Sequence, residues 1–500
     1  MMLNPSKERF CELAKQSNLI AVSAELNMDL DTPVSIYYKL VGEQEGFILE
    51  SVDTTQQHFG RYSFIGAEPF VRLQAFRDKL MVRENELMQC VDGDPVESIK
   101  TYMQRYRPAV EEPELPLVNG GLVGYFNYEV VSTFDRVRGL ETGPQELLGQ
   151  FMICRYLVVI DALKNSARLI YLATPQGKDP AAHYEEIAQK LSAMQERLLA
   201  PVPAHPSAEG KQRTQPLNFL QQFGKAPEYF LQAIREAKEH IFAGDIFQVV
   251  PSHQFRAQIE KPCFHFYRRL RQVNPSPYMF YLNFGRVKLV GASPETLVKV
   301  QGGQVYTYPI AGTRRRGKND AEDAALAKDL QGDAKEVAEH SMLVDLARND
   351  IGRIAEPGTV EVVKLKVIER FSHVMHMVSE VQGRLKAGMS PMDVLKATFP
   401  AGTVSGAPKL RAMEIIHDLE RVPRNTYSGT VGYMDFCGNM DMCITLRTMR
   451  IEDDHTAVIQ SGAGIVADSV PEHEYQEILQ KSKALFQVVE EVENDVVAFR

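Results

Sequence analysis

Two segments of the sequence carry carboxylates where a hard metal ion could be held. Glu474 and Glu477 lie three residues apart beside the apolar stripe of a final helix, which is predicted to begin near Pro471. Glu339 lies in an earlier helical segment, which is predicted over about 321–349. Carboxylate oxygens suit Mg²⁺, which takes few protein ligands and completes its shell with water and substrate. Acidic residues are also favoured in the first turn of any helix, so the spacing alone leaves a structural and a metal-binding interpretation open.

Three short loops rich in glycine, serine and threonine could approach an anion through their backbone N–H groups. They read PIAGT (309–313), PAGTVSGAPK (400–409) and QSGAGI (460–465). Glycine permits close backbone approach, and a helix that begins within the second loop would add positive potential at its N-terminus. None has the P-loop spacing, so a nucleoside triphosphate site is not indicated. Any one loop could be a tight turn, whereas three together favour an anion site.

Arg447 and His376 are two further side chains whose chemistry suits such a site. A guanidinium can bond a carboxylate through two parallel N–H groups, and a neutral imidazole can take a proton from a substrate carbon within reach. An arginine in the predicted strand DMCITLRTMRI is otherwise a solvated edge residue, and a histidine within SHVMHMV otherwise belongs to the core. Residue type alone leaves both alternatives open.

The elements that must position these residues come as runs of strands with helices grouped between them. Residues 1–200 are predicted as a strand-rich region closed by a helix over 179–199, residues 201–222 as a linker, and residues 223–500 as the region that carries the chemistry. These runs predict an α+β fold with largely antiparallel β-sheets in a sandwich-like core, helices outside and the active site in a cleft.

Composition argues against several classes of protein. The chain has 500 residues, a formal net charge of −9 and no basic stripe, which argues against a nucleic-acid surface. It contains no apolar run of the roughly 18 residues that span a bilayer, so no membrane segment is predicted. The six cysteines are scattered, without a Cys-x-x-Cys pair, which predicts reduced thiols in a cytoplasmic protein and no zinc site.

Eight motifs that occur in one order resemble those of the chorismate-binding enzymes. They read GDIFQVVPSHQF, GASPETL, PIAGTRRRG, EHSMLVDLARNDIGRI, SHVMH, PAGTVSGAPK, YSGTVGY and SGAGIVADSVPEHEYQE. With LESVDTTQQHFGRYSFIG near the start, the pattern over residues 25–490 is similar to that of the anthranilate synthase component I branch of this family.

The resemblance implies a role for each residue that matches a motif. It implies Mg²⁺ as cofactor, with Glu339 and Glu477 as its ligands. Glu295 would be the acid that assists departure of the substrate hydroxyl, His376 would be the base that removes a ring proton, and Thr403 would line the site. The implied contacts to the substrate are Gly312, Thr313, Tyr427, Arg447, Gly462, Ala463 and Gly464.

Ala311 bears on the nucleophile that such an enzyme would use. Related aminodeoxychorismate synthases typically carry lysine at this position, and isochorismate and salicylate synthases carry a water-activating lysine where this chain has Gln248. Because neither residue supplies an amine, the resemblance implies ammonia as nucleophile, with anthranilate and pyruvate as products. One alternative is an enzyme that stops at aminodeoxyisochorismate without eliminating pyruvate. The other is a catalytically silent regulatory protein that binds an amino acid, which would be expected to have lost the acids.

The resemblance also implies a partner and an inhibitor. None of the six cysteines lies in the Gly-x-Cys-x-Gly motif of class I glutaminases, so ammonia would come from a glutamine amidotransferase subunit. The implied assembly is a heterotetramer of two large and two small subunits, catalysing the first step of tryptophan biosynthesis. The family's pocket for feedback by L-tryptophan matches LES (49–51) and NPSPYM (274–279), which implies an inhibitor site at Ser51, Pro277, Tyr278 and Met279.

Overall fold

The computed structural model of the chain describes residues 2–27, 30–51, 61–110, 115–140, 143–202, 216–370 and 374–496. Most of the predicted linker therefore lies outside the described residues. No helix in these ranges is long and apolar enough to cross a membrane.

The strands follow one another along the whole chain and are numbered in order. They are β1 Ile20–Leu26, β2 Gly46–Glu50, β3 Tyr62–Phe76, β4 Lys79–Glu84, β5 Leu87–Asp92, β6 Gly121–Phe126, β7 Leu147–Asp161, β8 Ser166–Ala173, β9 Gln248–Val249, β10 Ser252–Gln258, β11 Tyr278–Asn283, β12 Lys288–Ser293, β13 Thr296–Gln301, β14 Gln304–Thr307, β15 Ile310–Arg315, β16 Glu361–Arg370, β17 Val374–Arg384, β18 Gly406–Ala407, β19 Thr430–Asp435, β20 Met440–Ile444, β21 Thr448–Ile451 and β22 Thr456–Gly462.

The α-helices are interspersed between groups of strands. They are α1 Lys7–Leu13, α2 Pro33–Leu40, α3 Pro95–Met103, α4 Pro180–Leu199, α5 Phe219–Phe223, α6 Glu228–Phe242, α7 Cys263–Val273, α8 Asp320–Gly332, α9 Ala334–Ile354, α10 Pro391–Thr398, α11 Lys409–Leu419 and α12 Pro471–Glu493, with 3₁₀ turns at Tyr128–Thr133 and Gly402–Val404.

Two antiparallel sheets share the long strands β3 and β7, each of which is 15 residues long. One sheet has the order β10-β22-β21-β12-β11-β2-β3-β7-β8-β1. The other has the order β5-β4-β3-β7-β6-β19-β20-β13-β14-β17, with β15 and β16 also paired to β17. The shared strands join both sheets into one curled arrangement.

Two large hydrophobic clusters fill this architecture. One lies between the sheets, where Phe47 and Leu289 of the first sheet meet Leu122 and Met442 of the second. The other packs helices onto the outer face of the first sheet, as with Tyr475 of α12. The expectation of an α+β fold with largely antiparallel sheets in a sandwich-like core and helices outside is confirmed.

Both halves of the sequence contribute to both sheets. Strand β2 pairs with β11 in the first sheet, and β6 pairs with β19 in the second. The antiparallel pairing of β2 with β3 requires glycine opposite Phe47, because a Cβ on Gly66 would collide with the ring of Phe47. Hydrogen-bonded sheets therefore connect the two regions that the sequence divides at residues 201–222. The division into domains stays a prediction.

Two local features differ from the sequence prediction. The helix expected over 321–349 is divided at Asp333, whose carboxylate caps α9 by accepting hydrogen bonds from the N–H groups of Lys335 and Glu336. Arg447, expected within a strand, lies at the break between β20 and β21 with a φ of 46°. A left-handed non-glycine residue ends the regular strand and turns the side chain away from the sheet edge.

Candidate active site

A cavity of about 540 Å³ lies where the ends of several strands meet α9 and α12. Such a volume suits a small organic molecule. Nine of the twelve residues expected to act in catalysis, substrate binding or metal binding line it, and they come from separate parts of the chain: Glu295, Gly312, Thr313, Glu339, His376, Thr403, Tyr427, Arg447 and Gly462.

Glu295 supplies a carboxyl group that is partly protonated near pH 7. It lies between β12 and β13 and accepts a hydrogen bond of 2.9 Å from the hydroxyl of Thr403. Burial raises the pKa of Glu295 to about 7, against the opposing effects of Thr403, Lys481 and Arg447. A carboxyl group with this pKa can donate a proton to a leaving oxygen at physiological pH.

His376 supplies a neutral imidazole on β17. Burial is the main cause that lowers its pKa, and the charge of Arg447 lowers it further. Its Nδ1 lies 3.1 Å from the carbonyl oxygen of Gly312 and 3.1 Å from the hydroxyl of Thr313. Because a carbonyl oxygen only accepts, the proton is assigned to Nδ1, which leaves Nε2 as the basic nitrogen of the neutral ring.

The pairing of β15 with β17 brings these residues together. Thr313 is directly opposite His376, and the register shifts between Ala311 and Thr313 at Gly312, whose φ is 68°. A Cβ on Gly312 would lie 2.7 Å from the side chain of Leu330, so glycine is required here on conformational and steric grounds. The side chain of Ala311, in the same bulge, faces the cavity without any reactive group.

Arg447 places a guanidinium in the cavity wall. Among the residues that the structure describes, its guanidinium makes no hydrogen bond or ion pair. Burial lowers its pKa, whereas the charge of Glu295 opposes that shift. A half-buried guanidinium without a protein carboxylate is suited to bind an anionic ligand.

Gly462 and Tyr427 form another part of the wall at the end of β22. A Cβ on Gly462 would lie 2.6 Å from the hydroxyl oxygen of Tyr427, so only glycine permits this approach. The Nζ of Lys481 donates a 3.0 Å hydrogen bond to the carbonyl oxygen of Gly462 and lies 2.8 Å from Glu477. Lys481 therefore presents a second cation to the cavity.

Three residues of the expected set do not line this cavity. The N–H of Ala463 donates to the carbonyl oxygen of Pro251, so it is engaged within the protein. Gly464 lies against Gln248, because a Cβ there would be 2.6 Å from the amide nitrogen of that side chain. Glu477 is exposed on α12 and paired with Lys481.

Acidic side chains gather where α9 faces α12. Burial and the charge of Glu336 raise the pKa of Glu339, while burial and the charge of Glu477 raise that of Glu474. The amide nitrogen of Gln248 lies 3.5 Å from a carboxylate oxygen of Glu339. A cation bound here would relieve the repulsion that raises these pKa values, so the donor set is compatible with a hard divalent ion.

The residues expected at an inhibitor site also lie together. The antiparallel pairing sets Met279 opposite Glu50, next to Ser51. Ser51 Oγ and Asn274 Nδ2 are buried and lack a hydrogen-bond partner among the described residues. The hydroxyl of Tyr278, in contrast, is bonded to Thr296 and Asp441, at 2.8 Å each.

Sequence reasoning missed Lys481 as a wall residue. Its position four residues after Glu477 on one helix was a usable signal, because residues at i and i+4 share a face. Residues 273–277 were also missed as part of the cavity wall. Their position depends on where the following strand, β11, joins the sheet.

Comparison with known proteins gives a consistent result. The family described as chorismate binding enzyme matches residues 45–487. Anthranilate synthase component 1 of Acetivibrio thermocellus is 41% identical over 495 residues, covering 98% of this chain and 99% of that protein. The crystal structure of anthranilate synthase component I from Streptococcus pneumoniae TIGR4 superposes with a TM-score of 0.73 at 35% identity, covering 92% of this chain and 98% of that one.

A more distant structure shares the fold alone. The menaquinone-specific isochorismate synthase of Escherichia coli superposes with a TM-score of 0.70 at 17% identity, covering 97% of this chain and 98% of that one.

We expect the carboxyl group of Glu295 to titrate near pH 7 in the folded protein, because burial opposes its ionisation. Thr403→Val should raise that pKa further, since the variant removes a hydrogen bond that favours the carboxylate. Infrared difference spectra between pH 5 and pH 9, with Glu295→Gln subtracted, measure the titration. The exposed Glu185→Gln serves as control; a Glu295 band that titrates near the ordinary 4.5 would contradict the assignment.

Proposed function

The chain belongs to the chorismate-binding enzymes, and we propose that it acts as the large component of an anthranilate synthase. In that reaction chorismate and ammonia give anthranilate and pyruvate through 2-amino-2-deoxyisochorismate. The observation that carries the proposal is the pairing of an acid with a raised pKa, Glu295, and a neutral base, His376, on the walls of one cavity that also holds the cations Arg447 and Lys481.

The charges of the cavity suit a substrate with two carboxylates. Arg447 lies in the wall and forms no ion pair with the residues that the structure describes, and Lys481 adds N–H donors beside Gly462. Both cations would compensate negative charge that would otherwise be buried at high cost. We assign them to substrate binding.

The proton transfers follow from the two neutral groups. Ammonia adds at C2 while the C4 oxygen leaves with the proton of Glu295. His376 then removes the C2 proton through Nε2, pyruvate departs, and the ring becomes aromatic. His376 needs only modest basicity, because aromatisation supplies much of the driving force.

The nucleophile is proposed to be external ammonia. The cavity wall has Ala311 and Gln248 at the two positions where related enzymes are expected to carry lysine. Lys481 is the cavity lysine that could compete with ammonia. Its Nζ is engaged by the carboxylate of Glu477 and by the carbonyl oxygen of Gly462, so these contacts compete with an attack on the ring.

Mg²⁺ is the proposed cofactor, held by Glu339 and Glu477. Among the residues that the structure describes, no group of three or more His, Cys, Asp or Glu is arranged to hold a metal ion. Two protein carboxylates, completed by substrate and water, fit the sparse protein coordination that is usual for Mg²⁺. When bound, the ion would neutralise a carboxylate of the substrate.

The proposed partner is a glutamine amidotransferase subunit, since relatives of this chain are named component 1. The proposed assembly contains two large and two small subunits. We place the protein in the cytoplasm, because all six cysteines are free thiols. Tryptophan biosynthesis is the proposed pathway.

L-tryptophan is proposed to inhibit the enzyme at the pocket beside Ser51. The orphaned polar atoms of Ser51 and Asn274 could bond the amino and carboxylate groups of an amino acid, which would satisfy two buried groups at once. Pro277 and Met279 would supply apolar wall for the indole ring. The segment 273–277 also lines the catalytic cavity, so ligand contacts there would alter the wall that faces the substrate.

The purified chain should form anthranilate from chorismate, Mg²⁺ and an ammonium salt, and should form none from glutamine, because it carries no glutaminase motif. Anthranilate fluorescence measures the product. Chromatography for aminodeoxyisochorismate distinguishes an enzyme that omits pyruvate elimination. Absence of both products would refute the proposed function, and glutamine-dependent synthesis by the pure chain would refute the need for a partner.

Glu339→Gln and Glu477→Gln should each lower kcat/KM by about a hundredfold or more, since even outer partners of metal sites typically change affinity or activity by 10–100-fold. Both variants should also weaken Mn²⁺ binding in an electron paramagnetic resonance titration, while circular dichroism stays unchanged. Glu472→Gln, an exposed acid in the first turn of α12, is the matched control. Unchanged Mn²⁺ affinity in both ligand variants would show that the metal binds elsewhere.

Ser51→Phe should abolish inhibition by tryptophan and spare catalysis, because the larger side chain fills the pocket and removes a polar partner. The chain contains no tryptophan, so indole emission of the ligand reports binding directly against a tryptophan-free background. Ser192→Phe, at an exposed position of α4, is the control. A Ser51→Phe variant that still binds tryptophan and is still fully inhibited would exclude this pocket.

A further inference from the structure

A second cavity, of about 60 Å³, lies behind Glu295. Glu295, Leu343 and Thr403 line both cavities, so the acid stands in the wall between them. The second cavity runs along α9 to Asp350, whose side chain is 18% exposed, and it therefore approaches solvent at a point separate from the catalytic cavity.

The lining of this second cavity is suited to water. Its wall includes the hydroxyl-bearing residues Thr307 and Thr398, and Thr307 Oγ1 is buried with no hydrogen-bond partner among the described residues. An unsatisfied buried hydroxyl is costly, and the volume has room for about two water molecules. Water here would satisfy Thr307 and would lie between Glu295 and Asp350.

The two sides of Glu295 differ in charge. On the catalytic side the nearby charged groups are Arg447, from the break between β20 and β21, and Lys481 of α12. At the far end of the second cavity lies Asp350, which is 3.1 Å from Lys409 of α11 and close to Arg353 of its own helix. Asp350 is thus the carboxylate at the solvent end of the second cavity, and a carboxylate can both accept a proton and return it.

We propose that the second cavity resupplies Glu295 with a proton from solvent, through water held by Thr307 and Asp350, while the catalytic cavity is occupied. This rests on the proposed function, in which the intermediate stays bound after amination and covers the catalytic side of the acid. Asp350 and Thr307 act through water and through Glu295, so they are positioning residues.

The proposed proton transfers conserve both atoms and charge. The C4–O bond breaks, and the departing oxygen takes the proton of Glu295 and becomes water. The carboxylate that remains takes a proton from water in the second cavity, and that water regains one from solvent beside Asp350. Ammonia loses one proton to solvent when it becomes the ring amine, so no net proton is consumed.

Pre-steady-state kinetics tests the proposal. Asp350→Asn and Thr307→Val nearly keep shape, and each removes one relay group. At pH 6, below the pKa of Glu295, both enzymes start with most of this acid protonated, so the first turnover should match that of the wild type, while later turnovers slow about tenfold. Rapid mixing with saturating chorismate and ammonium should then show a burst of about one anthranilate per active site. The KM for chorismate should stay unchanged and the solvent isotope effect on kcat should rise.

Two control variants separate this role from structural damage. Asp345→Asn removes an exposed acid from the same helix, and Thr307→Ser keeps the hydroxyl, so both should behave as wild type. A first turnover that slows in parallel with the steady state, or relay variants with unchanged steady-state rates, would overturn the proposal. Failure of the wild-type chain to form anthranilate would instead refute the proposed function on which it rests.

Discussion

The walls of the catalytic cavity depend on one buried ion pair. Arg424 and Glu420 have side chains that are only 2% and 7% exposed. The guanidinium donates to both oxygens of Glu420 and to the carbonyl oxygens of Val250 and Val404, two residues of the cavity wall. Glu420 in turn accepts hydrogen bonds from the backbone N–H and the hydroxyl of Ser252. Breaking such a pair typically costs about 3–5 kcal/mol, because one charge is left buried without compensation. Stability and the shape of the site therefore rest on the same contacts.

Burial sets the protonation states that the chemistry needs. In water, glutamate would be ionised at pH 7 and histidine would be partly protonated, which is the reverse of what an acid and a base require. Burial disfavours both charged forms, so it raises the pKa of Glu295 and lowers that of His376. Arg447 lowers the pKa of each group as well. For Glu295, the hydrogen bond from Thr403 and the charges of Lys481 and Arg447 together limit the raised pKa to about 7. Arg447 thus adds to the effect of burial at His376 and opposes it at Glu295.

The sequence patterns predicted helices and strands more accurately than they predicted the contacts between these elements. The apolar stripe of α12, with Tyr475 in it, was predicted from its helical period, and α12 begins at Pro471 as expected. The break at Asp333 was missed because the residues on both sides of it favour a helix. The start of the second helix is marked only by the hydrogen bonds that the Asp333 side chain makes as its N-cap. The position of Arg447 was missed because nothing in DMCITLRTMRI signals a left-handed residue. That conformation is imposed by tertiary contacts, including the bond from the N–H of Ala292 to the carbonyl oxygen of Arg447.

The site residues were found by resemblance, and their assembly could not be predicted from the sequence. Thr313 and His376 are 63 residues apart and meet through the register of β15 with β17, which residue type does not encode. The role of the N-terminal half was also hidden, because β2 completes a sheet with β11 and thereby brings Ser51 to the segment 273–277. One face of that segment lines the catalytic cavity, and its chain continues directly into β11. A strand pair that both halves share therefore connects the backbone beside Ser51 to a segment that lines the catalytic cavity.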